Sequence, residues 1–250
     1  MTRCRIPLLV ATAVVMLLTA CAHRDEDSLA ASLEVAEEDL PPEAETLLAV
    51  FDPLEPVNRA VYRFNFEFDH YVFLPIVDAY RLAVPSPLRR GIRNFFNNLR
   101  EVPTAANAVL QLRPDLATQT VFRFLVNSTI GLAGLFDVAT RLGAERQVED
   151  FGQTLGWWGV PAGPFVVLPI FGPSSVRDSG GLAADLAASI YLPPGREIYD
   201  IIYDHPAVVG LVAVDQRDSI PFRYFATDSP FEYEIVRFMY LRQREFLIAQ

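Results

Sequence analysis

Residues 151–176 run for 26 positions without a charged side chain. A stretch of that length is enough to cross a bilayer as a helix, which takes about 20 apolar residues. The same stretch holds Gly152, Gly156, Gly159, Gly163 and Gly172, together with Pro161, Pro164, Pro169 and Pro173. That density of glycine and proline forbids a regular helix. Irregular backbone facing lipid leaves N–H and C=O groups unsatisfied, so it is tolerated only where protein buries it or where it lines a cavity. The segment is therefore either a turn-rich core loop or the wall of an internal passage. The pair Trp157-Trp158 favours the second, because tryptophan collects at membrane–water boundaries.

The N-terminus carries the parts of a secretory signal. Arg3 and Arg5 form a basic region, and Ile6 to Leu18 is an apolar run interrupted only by Thr12. It is too short to span a bilayer. Leu18-Thr19-Ala20-Cys21 resembles the lipobox of bacterial lipoproteins, in which the cysteine is acylated and becomes the new N-terminus. The resemblance implies a lipid anchor at Cys21, and Ala22 at the next position implies sorting to the outer membrane. Cys4 leaves with the signal, so the mature chain has no thiol pair for a disulfide or a cysteine metal site.

The expected organisation is a signal peptide over 1–20, a lipidated, disordered acidic tether over 21–50, and a helical domain over 51–250. Between Ala22 and Glu45 there are nine acids, one Arg and the Pro41-Pro42 pair, a composition that cannot build a core. All 21 basic residues are Arg; without Arg3 and Arg5 the remaining 19 face 31 acids, a net charge of −12. Phosphate-backbone binding relies on clustered basic residues, so nucleic acid is not an expected partner, and a polybasic attraction to anionic lipid is unsupported. Yet 51% of the residues are hydrophobic, with 18 Phe. Such a composition fills a core or covers the outside of a membrane-embedded protein.

Helical periodicity dominates from residue 52 onward. Val57, Ala60, Val61, Phe64 and Phe68 recur at helical spacing with Asn58, Arg59, Arg63 and Glu67 opposite. Residues 87–101 form a second helix, with Leu88, Ile92, Phe95, Phe96 and Leu99 on one face. Helices over 104–111 and 115–127 follow, with Pro103 and Pro114 at first-turn positions. Shorter ones are expected over 131–142 and 181–192, and a longer one over 197–218, kinked or split by Pro206 and Gly210. A last helix starts with Ser229 as N-cap, Pro230 as first residue and Glu232 completing a capping box, with Phe231, Ile235, Phe238, Met239 and Leu241 or Phe246 as its apolar side. No hairpin series or internal repeat stands out. The expected fold is mainly α.

Enzyme constellations are missing. No G-x-S-x-G elbow or H-E-x-x-H pair occurs, a P-loop lacks its lysine, and His23, His70 and His205 are too scattered for a metal site. No cofactor is expected.

Several motifs occur in a fixed order. Asp52-Pro53-Leu54-Glu55-Pro56-Val57-Asn58-Arg59-Ala60-Val61-Tyr62-Arg63-Phe64-Asn65 opens the series. Arg93-Asn94-Phe95, then Arg123 to Gly131 and Gly134 to Ala139, follow. Glu149 to Gly156, Gly159 to Pro164, and Gly172 to Asp178 complete it. In this order they resemble the MlaA (VacJ) lipoproteins, densely over residues 52 to about 190 and loosely in the last helix. Two departures, Pro161-Ala162 in place of a more Gly-rich turn and Val102 inside a Glu-Pro step, touch loop detail only. The resemblance implies a ring-shaped bundle of amphipathic helices in the periplasmic leaflet of the outer membrane, with an amphipathic channel through it. It implies transport of misplaced phospholipids from the outer leaflet to a soluble periplasmic carrier beside a trimeric porin, without hydrolysis. The alternative is a porin-associated scaffold lipoprotein that transports nothing.

The physics fits. Dragging a charged head group through hydrocarbon is expensive, and a passage with polar groups for heads and apolar surface for tails removes that cost. Such a device needs helices apolar outside and polar inside. The candidate path residues are Asn58, Arg59, Arg63, Asn65, Trp157 and Trp158. Arg63 either meets a lipid phosphate or is solvated, or pairs with Glu67. Gly156, Gly159 and Gly163 permit tight turns and are candidate gate positions. Asn127 and Asp178 are expected to be buried hydrogen-bonders or caps.

Overall fold

The computed structural model describes residues 52–191, 204–226 and 229–250, with Asp200. The signal, Cys21 and the tether over 21–50 lie outside the described residues, as does part of the helix expected over 197–218.

Helix α1 (Glu55–Phe68) begins with Glu55 in the first turn, where the helix dipole favours an acid, and with Pro56, whose missing N–H costs nothing there. It runs without a break into a π-helical turn (Asp69–Phe73) and then α2 (Leu74–Ala83). The widened turn sits immediately before Pro75, whose ring would otherwise crowd the carbonyl four residues back. Val84 turns extended (φ −113°, ψ 114°) because Pro85 follows.

Helix α3 (Ser86–Leu110) is continuous for 25 residues, with Pro103 inside it. The sequence places a boundary at Pro103, and the structure does not. Proline removes one N–H donor and strains the turn before it, but side chains on both sides of it are tied to neighbouring helices and override the local preference. Helix α4 (Pro114–Thr129) returns antiparallel along α3.

The helix expected over 131–142 reduces to four residues, α5 (Val138–Arg141), capped by the Asp137 side chain. Leu132 and Ala133 at φ 52° and 56°, and Gly134 at 89°, make the preceding segment a series of turns. Buried Asn127 accepts from the N–H groups of Val138 and Ala139, so it acts as a cap.

The uncharged segment is more regular than its composition implies. It opens with α6 (Phe151–Trp157), capped by Asp150. It then forms an antiparallel hairpin, β1 (Phe165–Leu168) with β2 (Gly172–Ser175), in register Phe165↔Ser175 to Leu168↔Gly172. Neither element was legible. Gly152 of this segment serves packing rather than turning. Helix α7 (Val176–Tyr191) crosses α6 so closely that a Cβ on Gly181 would run into the Gly152 backbone.

Helix α8 (Pro206–Ser219) starts at Pro206 and continues through Gly210 unbroken. Helix α9 (Glu232–Ala249) begins two residues later than the capping-box pattern places it and has no side-chain cap. Glu232 instead accepts from the Tyr62 hydroxyl at 2.7 Å and from the Phe225 N–H.

The hydrophobic core is small: Val61, Tyr62, Phe165, Val167 and Tyr233, where α1, the hairpin and α9 meet. The fold is mainly α, as expected, and the hairpin is its one described sheet. Among the described residues no helix is long and apolar enough to cross a membrane.

Candidate functional site

Burial in this protein is inverted. Among the described residues twenty-one polar or charged side chains are buried against ten hydrophobic ones, while thirty-three large hydrophobic side chains are exposed. The inversion operates within single helices. On α1, Val57 is 61% exposed and its neighbour Asn58 is 1% exposed. On α4, Val121, Phe122 and Leu125 face out while Thr120, Arg123 and Asn127 are buried. On α9 the expected apolar side has Met239 and Phe246 exposed, and the inward stripe is Tyr233, Arg237, Tyr240 and Arg244. Buried polar groups are costly unless hydrogen-bonded, so this interior has to be organised as networks.

Three networks organise it. In the first, Arg123 donates to Glu101 at 2.9 Å and to the Thr140 hydroxyl at 2.9 Å, with Asp137 and the Ala144 carbonyl beside it. Burial pushes the Glu101 carboxyl up despite Arg123, and pushes Arg146 down. In the second, the α9 guanidinium of Arg244 clamps two other helices. It donates to both Asp150 oxygens at 2.7 and 2.8 Å and to both Asp178 oxygens at 3.0 and 3.1 Å. The Tyr240 hydroxyl adds a 2.7 Å bond to Asp178. In the third, Arg237 lies against Asp52 and Glu55 at 3.3 Å, joining α9 to the start of α1.

The second network gives α9 a pH dependence. Burial pushes the Asp150 and Asp178 carboxyls up, but the bonds from Arg244 (and, at Asp178, from Arg177) outweigh it, so both end below their ordinary value of 3.8. A depressed carboxylate stabilises the fold fully above its unfolded value and loses that contribution as pH falls through the folded value. Acidification below about pH 4 is therefore expected to release α9 from α6 and α7. Amide exchange of α9 against pH checks this; protection that stays constant down to pH 2 contradicts it.

The candidate path residues fall into two groups. Asn58 and Asn65, two helical turns apart, clamp the hairpin. Asn58 donates to the Phe165 carbonyl at 3.0 Å and accepts from the Val167 N–H at 2.8 Å. Asn65 donates to the Leu168 carbonyl at 3.0 Å and accepts from the Ile170 N–H at 2.7 Å. Arg59 is paired with Glu55 and Glu234 and lies 4.4 Å over the Tyr233 ring. Arg63 is exposed and makes no ion pair among the described residues, with Glu67 included.

The second group surrounds the turn between α6 and β1. Trp157 and Trp158 are about half exposed; Trp158 donates to the Leu110 carbonyl at 3.1 Å, and Arg113 lies 5.7 Å from the Trp157 ring. Gly156 packs against Ile248 of α9. Gly159 has φ +87° with open space where a side chain would go, and Gly163 has φ +70°. Among the described residues no cluster of His, Cys, Asp or Glu is arranged to hold a metal ion. The arginine networks escaped the sequence reading. The one available signal was the 4-3-4 spacing of Tyr233, Arg237, Tyr240 and Arg244, which puts four polar-tipped side chains on one face of α9.

Known proteins resemble this chain in sequence and in fold. A protein of Rickettsia typhi is 40% identical over 131 residues, 52% of each chain. The intermembrane phospholipid transport system lipoprotein MlaA of Escherichia coli (strain K12) is 41% identical over 138 residues, 54% of this chain and 55% of its own. The chain thus spans about half the length of the curated relatives it matches. A solved structure from work on maintenance of bacterial outer membrane lipid asymmetry superposes with a TM-score of 0.64 at 31% identity, covering 79% of this chain and 99% of that one. The sequence family described as MlaA lipoprotein matches residues 50–247. This chain belongs to the MlaA lipoprotein family.

Proposed function

We propose that this protein moves phospholipids between membranes. It takes lipids misplaced in the outer leaflet of the outer membrane and passes them, chemically unchanged, to a soluble periplasmic carrier. The observation that carries this reading is the inverted burial: apolar side chains such as Val57 of α1, Val121, Phe122 and Leu125 of α4, and Met239 and Phe246 of α9 turn outward around a polar, arginine-rich interior. In a leaflet those outward faces meet acyl chains and regain the hydrophobic stabilisation that a soluble core would supply. The interior then offers a head group an alternative to hydrocarbon. The helical domain accordingly sits in the periplasmic leaflet, beside a trimeric porin. Arg63 is the one candidate cation of α1 open to solvent, and the turn after α6 that holds Gly159 and Gly163 is the movable element of the path, with Gly156 fixed in α6 against α9.

The reading also assigns the anchor. Cys21 carries the acyl chains, residues 1–20 are removed, and residues 21–50 tether the domain. One acyl chain binds a membrane only marginally, so a multiply acylated Cys21 and the embedded helices act together. The intact mass of the mature N-terminus is expected to show a multiply acylated Cys21; a free thiol there sinks the assignment. A Cys21→Ser chain exported on an exchanged, ordinary secretory signal is expected still to need detergent for extraction.

The transport reading is tested by reconstituting the full chain with its porin in vesicles holding a labelled phospholipid. Transfer of the intact lipid to a soluble acceptor is the expected result. No transfer favours the scaffold reading, and appearance of lysophospholipid or free fatty acid favours a hydrolase.

A further inference from the structure

A cleft of about 230 Å³ opens between the π-helical turn, the hairpin tip and the chain that follows α8. Its wall is apolar: Phe68 and Phe73 at the two ends of the π turn, Ile170 and Phe171 at the hairpin tip, Phe222 and Tyr224 after α8. Asn65, Asp69 and Arg217 also reach it, and each is already engaged. Arg217 holds Asp69 at 2.7 Å and donates to the carbonyls of Ile220 and Phe222. Asn65 is spent on the hairpin backbone. A cleft whose polar groups satisfy one another has little left to bind a polar ligand, and what it gains is from covering apolar surface.

Two features that cost free energy shape this same wall. Ile170 sits at φ +70°, a left-handed conformation in which a β-branched residue is an outlier. The π turn is a rare geometry that is frequently found at functional sites. Size narrows the occupant. Pockets that enclose a whole small molecule run to roughly 300–1,000 Å³, so this cleft takes part of a ligand. Its lip carries two exposed apolar side chains, Ile170 at 52% and Phe171 at 74% exposure. One alkyl chain fits these features; a charged head group does not.

We propose that the cleft holds one acyl chain of a phospholipid while the rest of the molecule stays outside. The inference rests on the phospholipid-transport reading for the source of the chain. The test uses the full chain and its signal-exchanged Cys21→Ser variant in nanodiscs of phosphatidylethanolamine and phosphatidylglycerol, doped with a phospholipid bearing a diazirine in one acyl chain. After illumination, adducts are mapped by mass spectrometry. Adducts are expected at Phe73, Ile170 or Phe222 in both proteins. Filling the cleft with Ile220→Trp, or independently from the opposite wall with Phe73→Trp, is expected to lower cleft labelling roughly tenfold, about 1.4 kcal/mol of occupancy. Labelling of the outward residues Val121 and Leu125 is expected to stay constant and reports that each variant is folded and embedded. Adducts confined to outward residues, or cleft labelling unchanged in both filled variants, overturn the proposal. Labelling of the cleft only after Cys21→Ser also overturns it, because the protein's own anchor is then the occupant. The two readings fail separately: cleft labelling without lipid transfer contradicts transport alone, and transfer without cleft labelling contradicts this site alone.

Discussion

Arg123→Ala is expected to destabilise the protein by roughly 3–5 kcal/mol, because it strands a buried carboxylate. Arg123 is 2% exposed and its partner Glu101 is 1% exposed. Removal of the guanidinium takes that 2.9 Å bond and leaves Glu101 only Arg146, 3.6 Å away, while Thr140 and Asp137 keep their own 2.7 Å bond. Against a typical total of about 5–15 kcal/mol that is a large share. A chain of this size should lose roughly 6–20 °C of melting temperature. Well-packed apolar replacements of a buried pair are often neutral, so Arg123→Met with Glu101→Leu is expected to recover most of the loss. Thermal melts of the three proteins in nanodiscs check this. If Arg123→Ala melts within a degree or two of the parent, the network does not hold α3 and α4 together.

Gly181→Val is expected to be comparably severe for a steric reason. A Cβ at Gly181 meets the backbone of Gly152, and backbone cannot yield as a flexible side chain does. Helix α7 must then move off α6, and the Arg244 clamp that spans Asp150 and Asp178 opens with it. Overpacking alone typically costs about 1–3 kcal/mol, and the broken clamp adds to it, so low abundance at the membrane is the expected outcome. Normal abundance and an unchanged melt for this variant refute the close crossing. Gly159 is the contrasting case. It has φ +87° and open space around it, so Gly159→Val meets only backbone strain, about 1–2 kcal/mol, and should show first in lipid transfer rather than in abundance.

What was legible in the sequence follows from these contrasts. Helical periodicity located α1, α4, the first part of α3 and most of α9, because each carries a stripe at helical spacing. Periodicity says that a helix has two faces; it does not say which face is inside. On α9 the buried stripe is polar-tipped, and on α1 it mixes Asn58 and Asn65 with Val61 and Tyr62 while Arg63 and Glu67 face out; Asn58 and Arg237 are each 1% exposed. The networks were hidden for another reason. Arg244 meets Asp150 across 94 positions of sequence and Arg123 meets Glu101 across 22, distances over which no spacing rule applies. Proline was misleading where tertiary contacts override it, at Pro103, and informative where they do not, at Pro206. Glycine was read as a breaker at Gly152, where it permits close packing of two helices. The hairpin at 165–175 is short and buried at alternate positions, a pattern too brief to separate from loop. Motif order, by contrast, pointed to the family that residues 50–247 match.

On the proposed reading, the inverted helical domain carries phospholipid out of the outer leaflet. The most direct measurement is the amount of phospholipid exposed on the cell surface in a strain lacking this protein, compared with the same strain given the full chain. The expected result is accumulation of intact phospholipid in the outer leaflet that the restored chain removes. An outer leaflet with the same phospholipid content whether the chain is present or absent contradicts it.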